Sequence, residues 1–168
     1  MRLVDIKTNE DKKYFLSLYD ESFPKIEQVE SNTLFKLYYE GQIDLLVIKD
    51  CNNSIGLAVV FSKNESSLLA YFAIDKYKQC RGYGSKALEI LIKSYDHLII
   101  EIESTDKHSA NDIEKRIRRE EFYLSNGFIS MDEKVDYFGI DMDLLINSEH
   151  LDASDYFNIY NLFLMKIL

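Results

Sequence analysis

The segment Gln79-Cys80-Arg81-Gly82-Tyr83-Gly84 joins an apolar, strand-like run, Leu68 to Ile74, to a helix-like run, Ser85 to Lys93. The two glycines have no Cβ, so the backbone can approach a ligand closely. The helix that follows directs its free N–H groups and the positive end of its dipole back towards the loop. This strand–glycine loop–helix order predicts a phosphate-binding site.

Three classes of phosphate ligand could use such a loop. The order Gly82-Tyr83-Gly84-Ser85-Lys86 lacks the G-x-x-x-x-G-K-[ST] spacing of a nucleoside triphosphate site, which disfavours that class. Gly82 to Ala87 matches a relaxed dinucleotide motif, but that motif follows the first strand of a repeating strand–helix array. Here three strand-like runs come first, and the polar spacer Asp75 to Arg81 precedes the glycines. The third class is the pyrophosphate of coenzyme A.

The periodicity of the chain predicts one α+β domain over residues 1–168, built on a mixed sheet with helices on both sides and a C-terminal helix. Short turns between three strands indicate an antiparallel meander, and a right-handed strand–helix–strand crossover follows it. Phe128–Ser130 and Tyr137–Leu145 are expected to pair around a turn at Met131–Lys134. The other expected strands are 2–6, 43–48, 55–61, 67–74 and 98–104, and the expected helices are 10–22, 31–40, 85–93, 112–125 and one from about Ser154.

The composition is typical of a globular protein, with 46% hydrophobic and 29% charged residues and a net charge of −9. Negative charge disfavours nucleic acid as a partner, since binding phosphates requires a basic surface. No apolar run approaches the ~20 residues that span a bilayer, so no membrane is expected. The two cysteines, Cys51 and Cys80, predict no disulfide framework and are consistent with a reducing cytoplasm. The three histidines show no ligand spacing, so no metal is expected.

Several segments together resemble one known family. Gln79-x-x-Gly82-x-Gly84 resembles the Q/R-x-x-G-x-G/A signature of the GNAT superfamily of N-acetyltransferases. Tyr71 to Asp75 resembles that family's fourth strand, and Phe122 to Phe128 resembles its late F/L-Y-x-x-x-G-F segment. The order of elements is similar over nearly the whole chain. The resemblance implies a GNAT fold that transfers an acetyl group from acetyl-CoA to a primary amine within a ternary complex.

The resemblance also implies how coenzyme A is held. Main-chain N–H groups of the loop would bind the pyrophosphate, and the strand before it would bind the pantetheine arm where the family's fourth and fifth strands diverge. Many members carry an asparagine seven residues before a tyrosine, where this chain has Arg116. Arg116 or Arg119 would reach a coenzyme phosphate; the alternative is a basic helix face that offsets neighbouring acids. The predicted coenzyme-binding residues are Phe72, Ala73, Ile74, Gln79, Cys80, Arg81, Gly82, Tyr83, Gly84, Ser85 and Arg116.

Three residues are candidates for the chemistry. Tyr123 matches the family tyrosine that protonates the departing thiolate, and a phenol is a neutral donor at pH 7. The alternative for Tyr123 is a plain core tyrosine. Glu101 and Glu103 lie on one face of their predicted strand, so either could accept the proton of the acceptor's ammonium. The alternative for this pair is a solvated strand face.

The acceptor pocket is expected at Lys25–Glu30, the hairpin near Met131–Asp136 and the C-terminal helix. Acidic residues in these segments predict a cationic acceptor, either a small molecule or a peptide amine: Glu27, Glu30, Asp132 and Glu133. The alternative function is a non-catalytic acyl-CoA-binding sensor or interaction module of the same fold. The chain is expected to be a monomer or a homodimer.

Overall fold

The computed structural model describes residues 1–106, 112–137 and 139–167, and within these ranges seven strands form one sheet flanked by five helices. The strands are β1 (Arg2–Asp5), β2 (Ile43–Asp50), β3 (Asn53–Lys63), β4 (Ser66–Ile74), β5 (His97–Glu103), β6 (Ile129–Tyr137) and β7 (Ile140–Ile146). The helices are α1 (Asn9–Ser22), α2 (Ser31–Tyr39), α3 (Tyr83–Ser94), α4 (Ile113–Ser125) and α5 (Ala153–Ile167). In none of the described helices is an apolar stretch long enough to cross a membrane.

The strand order is β1-β2-β3-β4-β5-β7-β6. β4 and β5 run parallel, and the other neighbouring pairs are antiparallel. The crossover between β4 and β5 contains the glycine loop and α3, as a parallel pair requires. This arrangement confirms the predicted α+β class and mixed sheet.

Side chains on the two faces of the sheet form separate cores, because alternate residues of a strand point in opposite directions. The face covered by α1, α2 and α5, called the first face, buries Phe15, Leu34 and Tyr156. The face covered by α3 and α4, called the second face, buries Leu88 and Tyr123. Each helix therefore turns its apolar stripe towards the sheet.

The two parallel strands separate after a short contact. β4 and β5 pair only from Ser66–Leu68 to His97–Ile99. On the other edge of β4, Val59 pairs with Tyr71 and Val60 with Leu69, which leaves Ala70 as the extra residue of a β-bulge. A bulge bends its strand and increases its twist. The rest of β4 consequently leaves β5 and opens a gap in the sheet, which confirms the predicted divergence.

The predicted turn at Met131–Lys134 is wrong, because these residues lie inside β6. Ser130 pairs with Leu145 and Lys134 with Asp143, so three residues of β6 oppose a single residue of β7. This bulge accommodates a polar run that reads as a turn in the sequence. The chain instead reverses between β6 and β7, where Gly139 has a φ of +83° and its N–H donates to Asp136 Oδ1 at 3.1 Å.

The remaining predicted elements agree closely with the observed bounds. The second helix is closed by a glycine. Gly41 has a φ of +69°, and its N–H donates to the Tyr38 carbonyl at 3.0 Å. The N–H of Gln42 donates to the Leu37 carbonyl at 2.9 Å, which completes a two-bond helix cap.

Candidate active site

A cavity of about 1040 Å³ lies where β4 leaves β5. On the second face it is lined by Phe72 of β4 and by Phe122 and Tyr123 of α4. On the first face it is lined by Tyr71 of β4 and by residues of α1 and α5. The cavity therefore passes through the gap in the sheet, so that ligands entering from opposite faces would meet between the two strands.

The start of α3 borders this cavity without a side-chain cap. Gly82 is the N-cap residue of α3, and no side chain of the described residues caps the first turn by a hydrogen bond. Gly82 and Cys80 adopt left-handed conformations, with φ of +73° and +58°. Gly82, Gly84 and Ser85 line the cavity wall. The N–H groups and the positive dipole end of the helix are therefore placed to bind an anion there.

Two contacts hold the glycine loop against β4 and α4. Gln79 Nε2 donates to the carbonyl of Ile74, the last residue of β4, at 2.9 Å. A Cβ on Gly84 would lie 3.2 Å from the ring of Phe122, so the glycine allows α3 to approach α4 closely. Gln79 and Gly84 thus hold the glycine loop in position against β4 and α4.

The cavity wall contains most of the residues predicted to bind coenzyme. They are Phe72, Ala73, Ile74, Gln79, Cys80, Gly82, Gly84 and Ser85. Arg81, Tyr83 and Arg116 do not line the cavity. The Tyr83 hydroxyl donates instead to Asp50 Oδ2 at 3.1 Å, at the end of β2. Any contact of Tyr83 or Arg81 with the coenzyme would therefore be made by main-chain groups.

Two arginines of α4 hold Glu103. Arg119 Nη1 lies 2.8 Å from Glu103 Oε2, and Arg116 Nη2 lies 3.1 Å from Oε1. Arg116 Nε also contacts Asp112 Oδ1 at 2.9 Å, and its Nη1 donates to the carbonyl of Ser104 at 3.3 Å. The guanidinium of Arg116 is therefore used within the protein. This favours the interpretation of Arg116 as part of a basic helix face that offsets neighbouring acids.

Glu101 lies on the same face of β5 but in a different environment. The hydroxyl of Tyr156 donates to Glu101 Oε2 at 2.6 Å. Burial raises the pKa of Glu101 above its ordinary value of 4.5, and the Tyr156 hydrogen bond opposes part of that rise. Glu101 lines the cavity and forms no ion pair with any residue of the described ranges. A carboxylate with a raised pKa is a better proton acceptor at neutral pH.

Tyr123 lies on the second face, 7% exposed, between the rings of Phe122 and Phe128. Burial raises the pKa of Tyr123 to about 12, although Arg119 acts in the opposite direction. The phenol is therefore protonated at neutral pH. Tyr123 lines the cavity, and its hydroxyl makes no hydrogen bond to the part of the chain that the structure describes. It is free to donate a hydrogen bond to a ligand.

Solved structures with this architecture include acetyltransferases. A protein from Bacteroides thetaiotaomicron that is assigned to the GNAT family of acetyltransferases superimposes with a TM-score of 0.80 and 26% sequence identity. The match covers 95% of this chain and 93% of that one. The chain has the fold of the GNAT superfamily of N-acetyltransferases. No protein-family profile and no curated protein sequence matches it.

More distant structures share the GNAT fold. A GNAT acetyltransferase from Elizabethkingia anophelis with acetyl-CoA bound has a TM-score of 0.54 at 16% identity, over 86% of this chain and 95% of that one. The ribosomal-protein-S18-alanine N-acetyltransferase of Escherichia coli has a TM-score of 0.63 at 15% identity, over 90% and 98%. At these sequence identities the similarity shows a shared fold and nothing more.

On the first face of this GNAT fold, Tyr71 anchors the segment that follows α1. Its hydroxyl donates to the carbonyl of Glu27 at 2.6 Å and accepts from the N–H of Val29 at 3.1 Å. The Tyr71 ring packs against Tyr19 and Phe23, with centroids 4.9 Å apart in each case. Glu27 and Val29 line the cavity as a result. Burial, reinforced by the charge of Glu103, raises the pKa of Glu27 above 4.5.

Two of the three segments predicted for the acceptor side of the GNAT site reach the cavity. They are Lys25–Glu30, through Glu27 and Val29, and α5, through Tyr160 and Phe163. Residues 131–136 do not line it, because β6 lies at the edge of the sheet and β7 separates it from β5. The cavity wall there consists of Ile140 and Met142 of β7.

Sequence reasoning missed Tyr156 and Tyr71 as parts of this candidate site. Each makes its contact with a residue far away in the chain, so no local spacing reveals it. The only available signal is alternation along β4, which places Tyr71 on the face opposite Phe72. Among the described residues, no cluster of histidine, cysteine and acidic side chains is suited to hold a metal ion.

Proposed function

We propose that this chain transfers an acetyl group from acetyl-CoA to a primary amine by direct attack within a ternary complex. The observation that carries the proposal is the cavity through the gap between β4 and β5. The uncapped start of α3 lies on its second-face side, and the half-buried carboxylate of Glu101 lies on its first-face side. Such a passage allows two substrates to meet in a fixed orientation, which is a large part of catalysis.

Coenzyme A would enter from the second face. Its pyrophosphate would bind the uncapped N–H groups at the start of α3. Its pantetheine arm would extend along Phe72–Ile74, where β4 has lost β5 as a ladder partner and leaves backbone groups for the ligand to satisfy. N–H groups of β4 would polarise the thioester carbonyl and stabilise the negative charge that develops on its oxygen.

The amine would enter from the first face as an ammonium and must lose a proton before it attacks. Glu101 would accept that proton, since its pKa is raised and no arginine compensates its charge. Glu103 suits this role less because Arg116 and Arg119 already hold it. The new C–N bond forms as the C–S bond breaks, and Tyr123 would donate its phenolic proton to the departing thiolate. The second proton, which the nitrogen loses as it becomes an amide, would restore the Tyr123 phenol.

Calorimetric titration with acetyl-CoA, followed by a screen for amine-dependent thiol release, tests the proposal. We expect saturable binding of acetyl-CoA and release of the coenzyme A thiol in the presence of a suitable primary amine. Binding without turnover on any amine would indicate the alternative, a sensor or interaction module. Absence of binding would contradict both functions.

A further inference from the structure

We infer that the acceptor is a monoamine in which the primary amino group is carried on one aromatic or branched apolar body, with its ammonium against Glu101. This inference rests on the proposed acyl transfer and names the substrate class of that site. It narrows the cationic acceptor that the acidic residues of the sequence suggest to one that carries a single charge. Two independent observations support it: the pairing of the carboxylates in the cavity and the chemistry of the surrounding wall.

Most carboxylates that line the cavity are already paired. Lys76 lies 3.4 Å from Glu21, Arg116 contacts Asp112, and two arginines hold Glu103. Glu27 and Glu101 form no ion pair within the described ranges, but Glu27 lies in the field of Arg119 and Lys115. Glu101 is affected by burial and by the hydroxyl of Tyr156. The cavity therefore offers one carboxylate without a nearby cation, which suits one ammonium and disfavours a polycation.

The predicted acidic residues outside the cavity cannot supply the missing charges. Glu30, Asp132 and Glu133 do not line it, and the neighbouring wall is formed by Ile140 and Met142. Four cations of the described ranges lie on the wall of the same cavity: Lys76, Lys115, Arg118 and Arg119. A substrate with several ammonium groups would approach these cations without additional carboxylates to bind, which is unfavourable.

Apart from Glu27 and the end of α1, the first-face wall of the cavity is mostly apolar or aromatic. Its members include Leu18, Phe61, Leu68, Met142, Tyr160 and Phe163. Leu68 pairs with Ile99, two residues before Glu101 on the same face of β5, and Tyr160 stacks on Tyr156 with ring centroids 5.3 Å apart. A polar body bound here would lose its water without gaining partners. An apolar body gains roughly 25 cal/mol for each Å² that it buries.

Four amines distinguish an apolar monoamine from a polar or polycationic acceptor. Each is assayed by thiol release with saturating acetyl-CoA. They are 2-phenylethylamine, 3-methylbutylamine, ethanolamine and spermidine. We expect kcat/KM for the first two to exceed that for the last two by about tenfold or more, from the apolar area buried. Equal or better turnover of spermidine or ethanolamine would overturn the inference and leave the proposed acyl transfer intact.

Binding provides a readout that does not depend on turnover. Calorimetric titration of 2-phenylethylamine into the protein saturated with coenzyme A should show saturable binding, weakened about tenfold by Glu101→Gln through loss of the charged contact. Glu65→Gln, which makes the same change in the exposed turn between β3 and β4, should bind like the wild type. Absence of binding, or equal weakening by both variants, would overturn the inference even if acetyl-CoA binds normally.

Discussion

The hydroxyl of Tyr156 on α5 donates a hydrogen bond of 2.6 Å to the carboxylate of Glu101 on β5. The C-terminal helix thereby contacts the residue that we propose as the proton acceptor. Burial raises the pKa of Glu101, and this hydrogen bond stabilises the ionised form and limits the rise. The bond keeps more of the carboxylate in the form that can accept a proton.

Tyr156→Phe removes this hydrogen bond, so the pKa of Glu101 should rise further above 4.5. Because the base must be ionised, the acidic limb of the pH–rate profile should move to higher pH. The titration can be followed by NMR of ¹³C-labelled glutamate, with the signal assigned by its loss in Glu101→Gln. Tyr95→Phe, which breaks a 2.7 Å hydrogen bond to Asp44 outside the cavity, is the control. An unchanged Glu101 titration in Tyr156→Phe would contradict this role.

The glycine loop allows a matched test of the anion site. Gly82 and Gly41 have φ of +73° and +69°, and neither has a neighbour within 4 Å of an added Cβ. An alanine at either position should cost about 1 kcal/mol of stability, because both would be left-handed. Only Gly82→Ala should also weaken acetyl-CoA binding, by roughly fivefold in Kd, as the loop shifts to relieve strain. Equal affinities of the two variants, measured by calorimetry, would argue against coenzyme binding at this loop.

Loss of the anchor formed by Tyr71 should weaken the binding of the amine and leave the binding of the coenzyme unchanged. Tyr71→Phe removes the hydrogen bonds to Glu27 and Val29, which releases the segment after α1 from β4. We expect the KM of the amine to rise between about threefold and tenfold, with little change in the Kd of acetyl-CoA. Tyr38→Phe, which loses a hydrogen bond to the Ile6 carbonyl, serves as control. A loss of acetyl-CoA affinity in Tyr71→Phe would contradict the division of the cavity into two sides.

Substitution of Arg116 tests whether its side chain forms a structural ion pair or contacts a phosphate of the coenzyme. Arg116→Gln should lower the free energy of unfolding by about 2 kcal/mol, since it removes charged contacts to Glu103 and Asp112. The Kd of acetyl-CoA should remain essentially unchanged. Lys93→Gln, which breaks an exposed pair with Glu89, should leave stability nearly unaffected. If Arg116→Gln weakened acetyl-CoA binding strongly without loss of stability, the phosphate interpretation would be correct.

The parts of the site that follow from local spacing could be predicted from the sequence. The glycine loop is one example, since a strand, a turn and a helix follow one another within a few residues around Gly82. The position of Tyr123 is another, because it lies at a fixed offset from Gly127 and Phe128. Each of these predictions depends on backbone geometry that neighbouring residues largely determine.

Features that depend on distant partners could not be predicted. Tyr156 and Glu101 are 55 residues apart, and Tyr71 and Glu27 are 44 apart. The β6 turn was misplaced because the bulge at residues 131–133 depends on the register with β7. Glu101 and Glu103 likewise differ because α5 contacts the first and α4 contacts the second. The alternation of side chains along β5 does not reveal these helix contacts.

The most direct test of acetyl transfer through this cavity compares the wild type with Tyr123→Phe. Both proteins are saturated with acetyl-CoA, and amine-dependent release of the coenzyme A thiol is measured alongside the acetylated amine. The wild type should form one acetylated amine for each thiol released. Tyr123→Phe should be about 100-fold slower with an unchanged Kd for acetyl-CoA, because only proton donation is lost. Equal turnover by the two proteins, or thiol release without acetylated amine, would contradict acetyl transfer through this cavity.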